Sequence, residues 1–268
     1  MNKNSLAFIL LHSSCALLLS ACGGSSSSSD SNTSEAQDSE TSIETTSTIS
    51  AFVTKGPVDG AFCNLYSITN AGVAGSLLGA SSSTAGAVSF SVSSTEGSAE
   101  NYLIECSGGT YTDESTGATM TAPQLRAVVE TSANISITVS PLTEMAVALA
   151  SDLLSVDYEL VAEAFGLGAV DVLTTAPTDL NIESAADNDA GDYGTVLALV
   201  SQYQADEGVS LQQTMNSLVL ELGDGVLNQT VQDALSSAAT NLGSSAVVAN
   251  LNSDVVDDLV RHQIIHHV

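Results

Sequence analysis

Carboxylates are abundant among the side chains in this sequence that could do chemistry, with 31 Asp and Glu among 268 residues. Adjacent Asp113 and Glu114 are candidates for acid/base work. The run Asp187-Asn188-Asp189-Ala190-Gly191-Asp192 offers the clustered oxygen ligands that Ca²⁺ prefers, and Asp224 lies between two glycines. The twelfth position counted from Asp187 is Ala198, however, where an EF-hand loop carries a bidentate Glu. Calcium is therefore a candidate ligand, and helix starts or turns are the alternative explanation of Asp187, Asp189, Asp192 and Asp224.

Histidine is scarce where a catalytic triad would need it. One of the four histidines, His12, is near the N-terminus, and the other three lie in the last seven residues: His262, His266 and His267. A Ser-His-Asp or Cys-His arrangement would have to recruit this tail. His262 and His266 could share a helix face as a weak metal pair, although an exposed chain end is the favoured explanation.

Aromatic side chains are also few, at 4% of the residues with no Trp, and sugar-binding grooves normally use such rings as platforms. We therefore expect that the protein is not an enzyme and has no cofactor, calcium excepted. The alternative is an extracellular hydrolase that depends on carboxylates or a divalent ion. Its centre would be Asp113, Glu114 or the 187–192 run.

The N-terminal segment has the features of an export signal. Lys3 precedes an apolar run from Leu6 to Leu19, which is interrupted only by His12, Ser13 and Ser14 and ends in Leu19-Ser20-Ala21-Cys22. These four residues resemble the bacterial lipobox. The resemblance implies cleavage before Cys22, acylation of its thiol by chains such as palmitate, and a signal peptide over residues 1–21. Gly23, in place of the Asp of a retention signal, favours the outer membrane over the inner one.

A lipid anchor fits the remainder of the chain, because no later segment has the roughly 18 consecutive apolar residues of a membrane span. Without residues 1–21 the chain keeps 31 acidic and three basic residues, a formal charge of −28. Such a charge excludes nucleic acid as a partner. Cys63 and Cys106 remain as the only other thiols, and in an oxidising compartment they most simply form a disulfide. A metal pair or a reactive thiol is the alternative.

The residue pattern divides the chain into segments. Residues 22–50 are nearly all Ser, Thr and acidic residues and predict a disordered tether. Residues 51–139 alternate with a period of two, which predicts an antiparallel β-sandwich. Residues 140–268 have helical periodicity and predict a helical domain, beginning with Ser140 as N-cap and Pro141 at the first helical position. The fold class is therefore α+β. The predicted strands are 49–54, 61–68, 76–82, 87–92, 102–106, 125–130 and 134–139. The first predicted helix starts at 141, the next four cover about 157–165, 186–206, 210–222 and 230–242, and a last helix starts at 244.

Several motifs carry a family resemblance. They are VTKGPVDGAFCNLYSI, ECSGGTYTDESTG, LRAVV and ITVSPLTEMAVALA, followed by YGTVLALVSQYQADEGVSL. The strand part resembles the carboxypeptidase-regulatory-like, transthyretin-like sandwich of bacterial exported proteins, and the last motif is similar to the helical part that often follows it. The resemblance covers about residues 49–242. It implies the architecture and a surface location, and it assigns no catalytic residue.

Lys55 is a candidate for burial. Sandwiches of the collagen-adhesin type crosslink a first-strand Lys to a last-strand Asn with help from a buried acid, and Lys55, Asn134 and Glu105 occupy similar strands, although the lysine spacing differs. Taken together, the sequence predicts a non-catalytic cell-surface lipoprotein for binding, adhesion or envelope scaffolding. Its expected partners are the membrane, through the lipid, and an envelope or extracellular protein.

Overall fold

The alternating and helical patterns of the sequence appear as nine strands followed by five α-helices in the computed structural model, which describes residues 44–95, 99–168, 170–225 and 227–243. These residues belong to one compact unit. The α+β fold class is confirmed. Residues 1–43, which contain the predicted signal peptide, Cys22 and most of the predicted tether, lie outside the described residues, as do the three C-terminal histidines.

The strands form two main sheets and a small hairpin. One sheet has the order β4-β1-β9, the second has the order β3-β2-β5-β8, and β6 pairs with β7. All seven predicted strands are present, and β6 and β7 are additional. The bounds are β1 Glu44–Val53, β2 Phe62–Ile68, β3 Ala74–Ser82, β4 Ala87–Thr95, β5 Glu100–Ser107, β6 Thr110–Thr112, β7 Thr119–Thr121, β8 Leu125–Thr131 and β9 Ile135–Val139.

The first strand differs from the prediction in two ways. It starts at Glu44, so residues 44–50 belong to a sheet and the prediction of a tether as far as residue 50 is wrong there. Ser47 is buried in line with Ile49, and residues 44–50 all pair with β4, whereas the pairing with β9 begins at Ile49. In addition, β1 runs parallel to β9, so the sandwich is not wholly antiparallel.

The inner faces of the two sheets form the core. Cys63 on β2 and Cys106 on β5 are directly opposite, fully buried and joined by a disulfide, as predicted. This bond closes a loop of 43 residues. In the chain-entropy model, such a loop stabilises the fold by about 4 kcal/mol.

The helices begin at residues that local capping rules predict. Ser140 caps α1 through a capping box with Thr143, and Ser210 caps α4 through one with Gln213. Residues between 168 and 185 that the structure describes form neither helix nor strand. The predicted helix from Ser244 lies outside the described residues. The bounds are α1 Pro141–Leu149, α2 Tyr158–Ala164, α3 Asp189–Glu207, α4 Leu211–Glu221 and α5 Gln229–Gly243, with a 3₁₀ turn at Leu222–Asp224.

The helices pack on the sandwich. One continuous cluster of buried apolar side chains includes Ile49 of β1, Met145 of α1 and Leu197 of α3. The predicted border between residues 139 and 140 is therefore a change of secondary structure within one shared core. None of the helices in the described part of the chain is long and apolar enough to cross a membrane.

The outer edge of β8 is closed by a side chain. The backbone N–H of Val128 donates to the hydroxyl of Tyr158 over 2.7 Å, and that hydroxyl donates to the carbonyl oxygen of Val128 over 2.8 Å. Tyr158 thus occupies the place of a neighbouring strand. An edge whose backbone groups are paired in this way cannot accept a strand from another chain at that point.

Candidate functional site

The most concentrated group of chemically capable side chains surrounds Lys55, which is fully buried. Its ammonium donates to Oε2 of Glu114 over 2.5 Å and to the carbonyl oxygen of Leu197 over 2.9 Å. It also contacts the hydroxyl of Ser201. That hydroxyl donates to the same Oε2 of Glu114 over 2.7 Å. We call Lys55, Asp113, Glu114 and Ser201 the buried polar cluster.

The turn after β1 directs Lys55 into the interior. Thr54 and Pro57 form an isolated β-bridge, so the chain reverses sharply at Lys55 and Gly56. Gly56 has φ +76°, and a Cβ there would meet the carbonyl oxygen of Thr112 at 2.7 Å. Only glycine fits both the left-handed backbone and this close approach to β6. The Lys-Gly-Pro motif therefore brings the lysine against the β6–β7 hairpin.

The β6–β7 hairpin supplies the two acids. Oδ1 of Asp113 accepts four hydrogen bonds, from the backbone N–H and the hydroxyl groups of Ser115 and Thr116, at 2.8 to 3.2 Å. The backbone N–H of Gly117 donates to the carbonyl oxygen of Asp113, which closes the turn. Asp113 thereby fixes the turn that carries Glu114. Its other oxygen, Oδ2, is buried and has no hydrogen-bond partner in the described part of the chain.

Helix α3 supplies the remaining groups. Leu197 and Ser201 are four residues apart and lie on the same helix face. Val196 and Val200 of the same helix are fully buried beside them. The cluster therefore connects three separate parts of the chain: the end of β1, the β6–β7 turn and the middle of α3.

Burial dominates the electrostatics of the cluster. It raises the pKa of Glu114 above its ordinary value, although the charge of Lys55 and its hydrogen bond act in the opposite direction. Burial also acts to raise the pKa of Asp113, but the charge of Lys55 and the interactions with Thr116 and Ser201 outweigh it, so that pKa is lowered. The ring of Tyr111 lies 5.9 Å from the ammonium nitrogen and adds a cation–π contact.

The cluster is closed to solvent. The exposed fractions of Lys55, Ser201, Asp113 and Glu114 are 0%, 1%, 2% and 4%. Three of the cavities in the described part of the chain have volumes of 410 to 470 Å³, and the linings of these three contain no cluster residue. A cavity of 410 Å³ lies nearest in sequence, between Pro57, Thr112 and Asn181. The arrangement holds a buried charge, and a substrate cannot reach it without a rearrangement.

The predicted calcium ligands do not converge. Asn188 is the N-cap of α3 and its Oδ1 accepts from the backbone N–H of Gly191, while Asp189 and Asp192 lie in the first turn of that helix. Asp187 is exposed, and Asp224 ends the 3₁₀ turn. Within the described ranges, no group of three or more His, Cys, Asp or Glu side chains is placed to hold a metal ion. The run therefore matches the helix-start explanation, which needs no metal.

The predicted trio of Lys55, Asn134 and Glu105 is not brought together. Asn134 is exposed, and its Oδ1 accepts from the backbone N–H of Thr48. Glu105 lies opposite Asn64 and Arg126 in the second sheet. That trio was wrong because similar strand positions do not ensure the same register or face. Ser201 was missed altogether, and its only sequence signal is a hydroxyl in the apolar stripe of α3.

A second ion pair lies on the outside of the second sheet. Arg126 donates from Nε and Nη2 to the two carboxylate oxygens of Glu144, at 2.9 and 2.7 Å. Glu144 is buried and Arg126 is partly exposed. This bidentate pair fixes α1 on β8 and leaves the arginine largely neutralised.

The full sequence matches no protein-family model and no curated protein. The resemblance to the transthyretin-like sandwich therefore stays a prediction.

Proposed function

We propose that this protein is a non-catalytic lipoprotein of the bacterial outer membrane, which binds another envelope or extracellular protein for adhesion or scaffolding. The observation that carries the proposal is the closure of the buried polar cluster. Among the described residues, the buried polar cluster comes closest to a catalytic arrangement of acids and nucleophiles. Its side chains contact one another and are closed to solvent, so a substrate has no access. A hydrolase centred on Asp113 or Glu114 would need these carboxylates to face a cleft.

The lipobox at Leu19 to Cys22 supports the membrane location. Two or three acyl chains on one cysteine give stable anchoring without a membrane-spanning helix, since each buried methylene contributes about 0.8 kcal/mol. The acidic surface supports an extracellular or periplasmic role, because it keeps the body away from anionic headgroups and nucleic acid.

The open edge of the second sheet supports protein binding. Strand β3 is an edge strand, and its sequence AGSLLGASS has neither charged residues nor proline to protect that edge. Leu77 and Leu78 are 56% and 45% exposed. Unprotected edges with exposed apolar side chains pair with a strand of a partner protein. We therefore assign the partner-binding surface to β3.

Two experiments test the proposal. First, Cys22→Ala should move the protein from the membrane fraction to the soluble fraction, and continued fractionation with membranes would contradict the lipid anchor. Second, an envelope pull-down should recover a partner with the wild type and lose it with Leu77→Asp/Leu78→Asp. Leu220→Asp is the matched control, because Leu220 is an exposed leucine on α4, away from β3.

The pull-down has distinct outcomes. A partner that is recovered with the wild type and with the control, but not with the β3 variant, supports the edge. Equal recovery with all three proteins contradicts it. Self-association that only the β3 variant abolishes, measured by size-exclusion chromatography, would show that the edge binds a second copy instead of another protein.

A further inference from the structure

We infer that the buried polar cluster is a site of spontaneous covalent modification, in which Nζ of Lys55 forms an amide bond with Cδ of Glu114 and one water molecule leaves. The bond would join the end of β1 to the β6–β7 turn, residues 59 apart in the sequence. Such a bond is an internal crosslink and needs no substrate, cofactor or access from solvent.

The first argument is proximity. Nζ lies 2.5 Å from Oε2 of Glu114, so the carboxyl carbon bonded to that oxygen is about 3 Å away, the separation of a near-attack geometry. Within the described residues, Glu114 is the only acid that forms an ion pair with Lys55. Both side chains are held by burial, so the pair is pre-organised at high effective concentration.

The second argument is the hydrogen bonding of the product. An amide has one N–H donor and one carbonyl acceptor. The carbonyl oxygen of Leu197 lies 2.9 Å from Nζ and can accept the amide N–H, while the hydroxyl of Ser201 lies 2.7 Å from Oε2 and can donate to the amide oxygen. The existing partners therefore satisfy the neutral product. Removal of two charges from a buried site also removes their desolvation cost.

The third argument is the presence of a proton acceptor. Oδ2 of Asp113 is buried beside the cluster without a hydrogen-bond partner. Oδ1 of the same carboxylate is fixed by four donors, so the orientation of the group is set. Asp113 is therefore suited to take a proton from the ammonium, which frees the nitrogen lone pair for attack.

The step balances as a dehydration. The lone pair of Nζ forms a bond to Cδ of Glu114, and one C–O bond of the carboxyl group breaks. Of the three ammonium protons, one stays on the amide nitrogen. The other two pass by way of Asp113 to Oε1, which departs as water, while Oε2 stays as the amide oxygen that the Ser201 hydroxyl already contacts. Nothing is oxidised or reduced.

Peptide mapping of the full-length protein, purified from membranes and then reduced and denatured, tests the inference. We expect that trypsin does not cleave after Lys55, so that the fragment ending at Arg126 contains both Lys55 and Glu114. That fragment should be lighter by the mass of one water than the same sequence with free side chains. Unlinked peptides with a free Lys55 and a free Glu114 would overturn the inference. This readout uses the wild type, so it does not depend on the folding of any variant.

Variants identify the atoms involved. Glu114→Gln should give the same linked product as the wild type, because ammonia leaves in place of water, whereas Glu114→Ala and Lys55→Arg should give none. Asp113→Asn should slow formation of the link and leave it at Glu114. A link that fragmentation assigns to residue 113, or one that persists in Glu114→Ala, would overturn the assignment of Glu114.

Discussion

Replacement of Tyr158 by Phe removes a single hydroxyl from the edge of β8. In the wild type this hydroxyl accepts from the N–H of Val128 at 2.7 Å and donates to its carbonyl oxygen at 2.8 Å. The phenyl ring of the variant can keep the apolar contacts of the tyrosine ring. The change therefore isolates the pairing of one strand edge from the packing of α2 on the sheet.

The cost follows from the two backbone groups that lose their partner. A buried donor or acceptor left unsatisfied costs about 1–3 kcal/mol. Val128 is only 7% exposed, so water replaces the hydroxyl poorly. We expect a loss of about 2–3 kcal/mol in the free energy of unfolding for the two groups together. For a domain of this size that loss lowers Tm by about 4–12 °C.

Urea unfolding of the wild type and of Tyr158→Phe, followed by circular dichroism, measures this difference, and the slope against urea should not change. Tyr66→Phe is the matched control, because Tyr66 packs on the same outer cluster and no hydrogen bond of its hydroxyl is found to a described residue. The control should lose less than about 0.5 kcal/mol. If Tyr158→Phe lost no more than the control, the hydroxyl would not be what closes the β8 edge.

Three further predictions concern the backbone, the disulfide and pH. Gly56→Ala should lower the free energy of unfolding by about 2 kcal/mol or more. Gly208→Ala is the control, because Gly208 also has a positive φ but an added Cβ would have nothing within 4 Å, and it should cost about 1 kcal/mol. Equal losses for the two variants in thermal unfolding would contradict the close contact at Gly56. Cys63→Ala/Cys106→Ala should lose about 4 kcal/mol in chemical unfolding under oxidising conditions, and a loss below about 1 kcal/mol would argue against the disulfide as a staple. Burial raises the pKa of Tyr102 from 10.0 to about 12. The contribution of this side chain to the free energy of unfolding is therefore complete below pH 10 and is lost as the pH rises through about 12. Tyr102→Phe should flatten the unfolding free energy against pH in that window, and an unchanged slope would show that Tyr102 does not ionise there.

The candidate site could be predicted only in part. Lys55 was a candidate for burial by its likeness to the first-strand lysine of collagen-adhesin sandwiches, and Asp113 and Glu114 stood out within their motif. Their association could not be read from the sequence, because it depends on the turn at Gly56 and on the docking of α3. Ser201 gave almost no signal, since a single serine in an apolar helix stripe is common and needs no charged partner.

Local patterns were sufficient for most elements. The alternation of side chains predicted seven strands, and the Ser140 and Ser210 caps predicted the starts of α1 and α4, because these signals act between residues close in the chain. The disulfide was predictable for a simpler reason, since Cys63 and Cys106 are the only cysteines after Cys22.

Only the tertiary structure decided the long-range features. The antiparallel pairing of β1 with β4 gives strand structure to residues 44–50, whose composition alone indicates a tether. The fold also decides that Lys55 faces Glu114 and not Glu105, because one strand register and one turn set which of 31 acids meets the buried cation. Composition gives the number of acidic groups, but burial and geometry determine which of them contacts Lys55.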